Sequence, residues 1–551
     1  MAAHLPTLCA APCTFLLSAS PRSRQTNSTS ATARRLPARP VKATTAAAET
    51  ARDSGTKLSA WTSVRQERWE GKLAVEGHLP DWLNGTYLRN GPGLWDVGGR
   101  AFHHLFDGYA TLVRVTFRQG RATGAHRQIE SGAGRPVLRE FSQCPRPRNL
   151  LDRVGNLVGL ATGAALTDNP NSAVLPLGDG RVLCLTETTK SFVLVDPGTL
   201  ATVGRFEYAD GLGAMMIQSA HPVVTESELL TVLPDLVRPG HLVVRMAAGS
   251  DERKVIGRGG VPRGADPGKH VVVPEMPLRY SASSLIKSEL APYYAFDWLP
   301  ASGSYMHVMC RSTGKTVASV EVPPFMAIHY INAYEEAGED GRKAAAAAVI
   351  VDCCEHYGDP AIIETLVLHR LTSFGGKDVL PNARVGRFRI PLNGSPFGEL
   401  ETALDPEEHG RGMDMCSINP AYLGKEYRYA YACGARRSCN FPNTLTKIDL
   451  VEKTAKNWHE EGAVPSEPFF VAKPGATDED DGVVLSIVSA ADGGGYALVL
   501  EAATFQEIAR VRFPYGLPYG FHGCWIPDKI LPGRLAATAQ VNYIATIQMH
   551  F

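Results

Sequence analysis

The sequence predicts an all-β protein built as a β-propeller, and three observations predict it. From about residue 58 onward the chain reads as short runs of β-branched and aromatic residues broken by Gly, Pro, Asn and Asp, with few long helical patterns. A hairpin pattern recurs four times: Val193-Leu-Val-Asp-Pro-Gly-Thr199-Leu-Ala-Thr-Val203, Val308-Met-Cys-Arg-Ser-Thr313-Gly-Lys-Thr-Val317, Ile448-Asp-Leu-Val-Glu-Lys-Thr454-Ala-Lys-Asn-Trp458 and Leu498-Val-Leu-Glu-Ala-Ala-Thr504-Phe-Gln-Glu-Ile508. Each has an apolar strand, a polar turn, a Thr and, four places on, a large apolar residue that opens the next strand. Such hairpins also occur in β-sandwiches, but their repetition along 551 residues suggests blades of antiparallel strands around one axis. The third observation is a set of histidines far apart in apolar, strand-like surroundings: His221 in Ile217-Gln-Ser-Ala-His-Pro-Val-Val224, His329 in Phe325-Met-Ala-Ile-His-Tyr-Ile331, and His522 in Tyr519-Gly-Phe-His-Gly-Cys-Trp525. A propeller makes neighbours of such residues, because innermost strands of different blades face a common axis.

Neutral imidazole is a common metal ligand, and a buried polar ring is costly unless something binds it. Any one of the 16 histidines could be an ordinary hydrogen-bonded core residue. Three in like surroundings read as pieces of one metal site. Acidic residues in similar contexts, Glu187, Asp414 and Glu467, fit the carboxylates that commonly accept the second ring N–H of a metal-bound histidine.

Along the chain, residues 1–57 read as a leader, 58–527 as the propeller and 528–551 as an atypical tail. Positions 1–48 contain no Asp or Glu but carry Arg22, Arg24, Arg34, Arg35, Arg39 and Lys42, in a Ser-, Thr- and Ala-rich background. That composition is the mark of an organelle transit peptide, here a plastid one, so the expected location is the chloroplast stroma. The segment Leu150–Leu166 has apolar residues at 150, 151, 154, 157, 158 and 160, a helical spacing. It is either an insertion packed over one face of the propeller or an apolar surface making peripheral membrane contact. No stretch approaches the roughly 18 apolar residues of a transmembrane helix. Lys+Arg and Asp+Glu both number 56, so there is no basic field to attract nucleic acid. Eleven cysteines include no CxxC pair, which argues against a zinc ribbon, and reduced thiols fit the expected compartment.

Six motifs, in order, carry a resemblance: Tyr87-Leu-Arg-Asn-Gly-Pro92, His104-Leu-Phe-Asp-Gly108, Ser219-Ala-His-Pro222, Ile328-His-Tyr-Ile-Asn-Ala-Tyr-Glu-Glu336, Ser466-Glu-Pro-Phe-Phe-Val471 and Tyr519-Gly-Phe-His-Gly523. Together they resemble the carotenoid cleavage dioxygenases over about residues 58 to 527. Ala60-Trp-Thr-Ser-Val-Arg-Gln-Glu-Arg-Trp-Glu70, Asp414-Met-Cys-Ser-Ile-Asn-Pro420 and Phe513-Pro-Tyr-Gly-Leu-Pro-Tyr-Gly-Phe-His-Gly-Cys-Trp525 resemble the plant plastid subfamily that makes carlactone, a strigolactone precursor. The resemblance implies a seven-bladed propeller with helical and loop insertions capping one face, and an axial Fe(II) held by four histidines. It also implies O2 and a lipophilic 9-cis-apocarotenal as substrates. His221, His329 and His522 match three of the iron ligands, and Glu187, Asp414 and Glu467 the carboxylates behind them, with Asp414 where most relatives have Glu.

The fourth ligand has no match. Relatives carry a His-Ser-Phe or His-Asp-Phe motif just before the strand corresponding to Val271-Val-Val-Pro-Glu-Met-Pro-Leu-Arg-Tyr280, whereas here Arg258 leads through Gly-Gly-Val-Pro-Arg-Gly-Ala-Asp-Pro-Gly-Lys to His270. A piece about one strand long is missing. His270 falls where relatives have an aromatic residue, and is a substitute ligand only if the shortened loop lets it swing inward. Two further readings stand beside the dioxygenase: a catalytically impaired propeller that has lost one ligand, and a propeller binding module with structural histidines.

Overall fold

The computed structural model describes residues 34–35, 59–97, 100–130, 168–212, 217–234, 241–258, 270–280, 296–337, 346–358, 360–373, 383–435, 439–528 and 538–539. The expected helix at Leu150–Leu166, and the expected leader and tail apart from 34–35, 528 and 538–539, lie outside them.

The fold is all-β and propeller-like. Five antiparallel sheets of three or four strands succeed one another along the chain. The first holds Ala173–Pro176, Val182–Leu185, Val193–Val195 and Thr202–Arg205. The second holds Val223–Val224, Glu228–Pro234, His241–Ala247 and Arg253–Arg258. His270–Glu275, Ser304–Cys310 and Thr316–Val322 form the third. The fourth runs Ala327–Ala337, Ala346–Glu355, Arg384–Pro391, Glu399–Thr402, and the fifth Arg411–Ile418, Tyr429–Ala435, Thr444–Asp449, Thr454–His459. In all five the spatial order follows the chain, a meander from one edge outward.

The two ends of the β-region share one twelve-stranded sheet. Arg68–Gly77 links its halves: residues 68–73 pair with Arg121–Gln128, and residues 74–77 pair with Glu507–Phe513. The late strand Gly523–Pro527 pairs with the early strand Gly85–Arg89, stitching the chain's end to its beginning.

Core packing closes these sheets into a ring. Leu112 and Cys524 pack with Val174 and Cys184; Leu183 and Phe192 with Leu229 and Met246; Val243 with Val273 and Met309; Met306 and Val320 with Tyr330 and Phe388. Ile331 and Val385 then meet Met413 and Ile448, and Tyr431 and Leu445 meet Val484 and Leu498. Val113 and Phe117 close the circuit against Val499 and Val511. Every sheet is thus covered on both faces by its neighbours, which explains strands that are apolar on both sides, such as Gly482–Ser489.

The repeated hairpin is the outer pair of strands. Three occurrences join the last two strands of their sheet, and the fourth joins the equivalent pair in the twelve-stranded sheet. The turn bends through the left-handed region at Leu200, Gly314, Lys453 and Phe505. In three of them that residue's N–H donates to the carbonyl four positions back: Leu200 to Asp196, Gly314 to Cys310, Phe505 to Glu501. Beside the same three turns the ladder slips by one residue, as at a β-bulge.

Described helices are short, the α-helices being Ile362–Thr365, Leu368–Leu371 and Pro406–His409. None among the described residues is long and apolar enough to cross a membrane.

Candidate metal centre

The three histidines named from sequence meet. One potential ligand atom from each of His221, His329 and His522 lies within 4.8 Å of the others, and all three residues are buried. His329 Nε2 stands 3.3 Å from His522 Nε2. The His221 ring stands nearly perpendicular to both others, with centroids 5.1 Å from His329 and 4.7 Å from His522. Two nitrogens bonded to one metal at about 2.0–2.1 Å and at right angles stand about 3 Å apart, so the spacing fits a shared ion.

Each ring comes from a different sheet. His329 lies on the first strand of the fourth sheet, where the ladder skips between Ala327 and Tyr330. Such a bulge re-aims a side chain out of its regular alternation. His221 lies in a bend just before Val223–Val224, and Pro222 disfavours helical backbone at it. Its N–H donates to Ser219 Oγ at 3.2 Å. His522 immediately precedes Gly523–Pro527; its carbonyl accepts from Asn90 N–H at 3.0 Å, and Asn90 reaches Pro170 and Ala173 carbonyls through Nδ2.

The glycines around His522 reflect close passage against Gly85–Arg89. A Cβ on Gly520 would lie 2.6 Å from Arg89 Cγ, and one on Gly523 would lie 2.7 Å from the Leu88 carbonyl oxygen. Gly91 faces Gly520 in the same way, at 2.7 Å from its Cα.

Two of the three carboxylates named from sequence bond rings of the histidine trio. Asp414 Oδ1 accepts from His329 Nδ1 at 2.6 Å, and Glu467 Oε1 accepts from His522 Nδ1 at 2.8 Å. These bonds fix the tautomer that leaves Nε2 of each ring, the atoms 3.3 Å apart, as acceptor or ligand. Asp414 sits between two register breaks in its strand and is followed by Met415 at φ 52°, while Met415 N–H donates to Asp414 Oδ1 at 2.9 Å. Glu187 is placed differently: its carboxylate accepts from the Thr186 hydroxyl, and its carbonyl accepts from Gln218 N–H at 2.9 Å. It braces the segment leading to His221, and among the described residues no carboxylate bonds the His221 ring.

Electrostatics favour neutral rings at two corners. Burial, then the neighbouring His522 and His329, push His221 well below the usual imidazole range. Burial also lowers His522, against the opposing pull of Glu467. At His329 burial is outweighed by Asp414, which raises its proton affinity. Burial would raise Glu467, yet His522 and Arg89 hold it below the usual carboxylate range, and Asp414 is likewise held well down against burial, mainly by His329. Three imidazoles, two of them favoured neutral and two backed by ionised carboxylates, form a donor set that suits a first-row metal such as iron, zinc or copper once His329 gives up its extra proton.

His270 lies elsewhere. It opens the third sheet, and its Nδ1 is 2.8 Å from Glu335 Oε1. Among the described residues that sheet has three strands where the other four have four, and the segment between Arg258 and His270, where a missing piece is expected, lies outside them.

Two buried side chains that sequence reasoning did not assign complete the surroundings. Arg89 donates to Glu467 Oε2 at 2.8 Å and to the Gly520 carbonyl at 2.7 Å. His356 places Nε2 3.3 Å from Asp414 Oδ2. Arg89 lies within the motif Tyr87–Pro92, the one signal that could have marked it; His356 had no signal beyond the apolar run before it.

Comparison with known proteins gives the family. The family model described as retinal pigment epithelial membrane protein matches residues 61–527. The rice protein named carotenoid cleavage dioxygenase 8 homolog A, chloroplastic, is 73% identical over 558 residues, covering 95% of this chain and 98% of its own length. Those 558 aligned positions exceed 95% of 551 residues, so gaps fall on this chain's side. The Arabidopsis thaliana protein named carotenoid cleavage dioxygenase 8, chloroplastic, is 57% identical, with 85% of each chain covered. Among solved structures, cobalt-substituted Synechocystis apocarotenoid oxygenase superposes with a TM-score of 0.67 at 20% identity, over 86% of this chain and 98% of that one, a likeness of fold. Matched by the family model over most of its length and by relatives at such identity, the chain belongs to the carotenoid cleavage dioxygenase family.

Proposed function

We propose that this chain is a plastid dioxygenase that holds Fe(II) through His221, His329 and His522 and cleaves a 9-cis-apocarotenal with O2, giving carlactone in strigolactone biosynthesis. The observation that carries the reading is the convergence of three buried imidazoles from three sheets, two of them oriented by carboxylates. The names of the rice and Arabidopsis relatives support the reaction class, the pathway and the plastid location. Counting the twelve-stranded sheet as two blades joined through Arg68–Gly77 gives a ring of seven, and the circuit of core contacts supports that count.

Iron held there would supply O2 activation for oxidative scission of a conjugated C=C bond. The chain's own residues bind the metal, fix ring tautomers and present apolar surface. Beside His522, Phe521 and Tyr519 continue into Trp61 and Phe441, with ring centroids 4.8–6.0 Å apart. Exposed Phe106 stands 6.1 Å from Phe521. Trp61, Phe441, Tyr519 and Phe521 are buried in one apolar cluster beside His522, surroundings that suit a polyene oriented by shape and few polar groups. Glu187 serves on this reading as a brace for the His221 segment.

The site as proposed has three protein ligands, one fewer than the family pattern implies. Each ligand contributes bond energy and restraint, so iron binds more weakly here than in four-histidine relatives. The test is reconstitution of the full chain with Fe(II) under anaerobic conditions, followed by O2 and 9-cis-β-apo-10′-carotenal with product analysis. Carlactone formation is expected; iron-loaded protein that leaves the apocarotenal intact contradicts the reading.

A further inference from the structure

The two carboxylates behind the metal centre are built alike. One oxygen of Glu467 takes the His522 N–H, and the other takes Arg89 at 2.8 Å and the Gly523 N–H at 3.2 Å. One oxygen of Asp414 takes the His329 N–H, and the other faces His356 Nε2 at 3.3 Å. A carboxylate held at one oxygen can pivot about its Cβ–Cγ or Cγ–Cδ bond; held at both it cannot. Asp414 is also one methylene shorter than Glu467, so it reaches His329 only if its own strand and its second oxygen are fixed.

His356 is placed to do this. It directly follows the strand Ala346–Glu355, is 2% exposed, and donates its backbone N–H at 2.7 Å to the carbonyl of Met326, which lies just ahead of the strand that carries His329. Neither ring nitrogen makes a formed hydrogen bond among the described residues, and the ring's nearest charged atom there is Asp414 Oδ2, 3.3 Å from Nε2. The 3.3 Å separation is long for a hydrogen bond and leaves room to tighten when His329 is drawn toward a metal.

We infer that His356 is a positioning residue of the metal centre, holding the second oxygen of Asp414 so that Asp414 fixes the His329 ring. This rests on the metal-centre reading above. The test uses Co(II) alone as probe, titrated into the full chain and followed by its visible absorption, which reports both affinity and coordination geometry. His356→Leu is expected to weaken Co(II) binding by roughly 10–100-fold, the usual cost of losing such an outer partner, and to change the absorption bands. His356→Gln, whose amide reaches the place of Nε2, restores most of the affinity, while His356→Asn, too short, does not; this polar pair carries the test if the Leu variant fails to fold. Because His356 acts through Asp414, adding His356→Leu to Asp414→Asn costs nothing further. Unchanged affinity and spectrum in His356→Leu, or additive losses in the double variant, overturn the inference while leaving the metal site standing. Failure of the unmodified chain to bind Co(II) takes down both.

Discussion

Arg89 shows how the centre depends on side chains that bear no ligand atom. It is a fully buried cation paired with a fully buried Glu467 and hydrogen-bonded to the Gly520 carbonyl. Removing one member of such a pair strands the other charge, so Arg89→Leu is expected to destabilise the fold by about 3–5 kcal/mol, read as loss of thermal or denaturant stability. Gly520→Ala presses a methyl into the Arg89 side chain and is expected to cost about 1–3 kcal/mol in the same measurement. Metal binding also has a direction with pH. Ligation needs neutral imidazole, and Asp414 lifts the proton affinity of His329, so metal affinity falls on acidification as His329 takes up a proton in competition; affinity that does not change on acidification contradicts this. The candidate ligand histidines and two of their carboxylates were legible in sequence because polar residues stand out against apolar flanks. Arg89 was not assigned, since its partner lies 378 residues away and only the fold brings them together. Glu187 departs from its expected contact for a related reason: a carboxylate's neighbourhood can be read from sequence, but the atom it bonds cannot.

At the level of elements, the recurring hairpin was legible because the same turn is used each time, and its meaning became clear only with the strand order. Each occurrence bends through a left-handed residue, and at Lys453 that residue is exposed and not glycine. A left-handed backbone costs an L-residue about 1 kcal/mol or more, so Lys453→Gly is expected to leave stability unchanged or raise it by up to about 1 kcal/mol, the gain limited by glycine's greater chain entropy. A clear loss of melting temperature would show that the Lys side chain matters more than its backbone. The three-stranded sheet carries the other prediction at this scale. Replacing residues 259–269 by a longer segment that carries the His-Ser-Phe motif expected from the family resemblance is expected to supply a fourth histidine and to raise metal affinity over the natural chain. No gain would mean that the missing piece does not supply a ligand. The expectation of a missing piece rests only on the resemblance to relatives, because a deletion leaves no residue to read.

For the molecule as a whole, the metal centre and the closure of the ring are the same problem. His522 sits at the start of the strand that pairs the chain's end with Gly85–Arg89, while His221 and His329 come from sheets formed between those ends. The unfolded chain cannot bring these rings together, so an ion that binds them stabilises the native ring, by about 2.7 kcal/mol at a hundredfold excess over its dissociation constant. The ring itself was foreseeable from strand-length runs and repeated hairpins; the order in which sheets pack was not, because it depends on core contacts between residues distant in sequence. The most direct test of the account is the metal content of the purified full chain after equilibration with Fe(II), compared with His221→Ala, His329→Ala and His522→Ala. We predict one bound iron per natural chain and strong loss in each of the three folded variants; a natural chain that is folded but takes up no iron, or variants that retain it, would contradict the claim that these three histidines form one metal site.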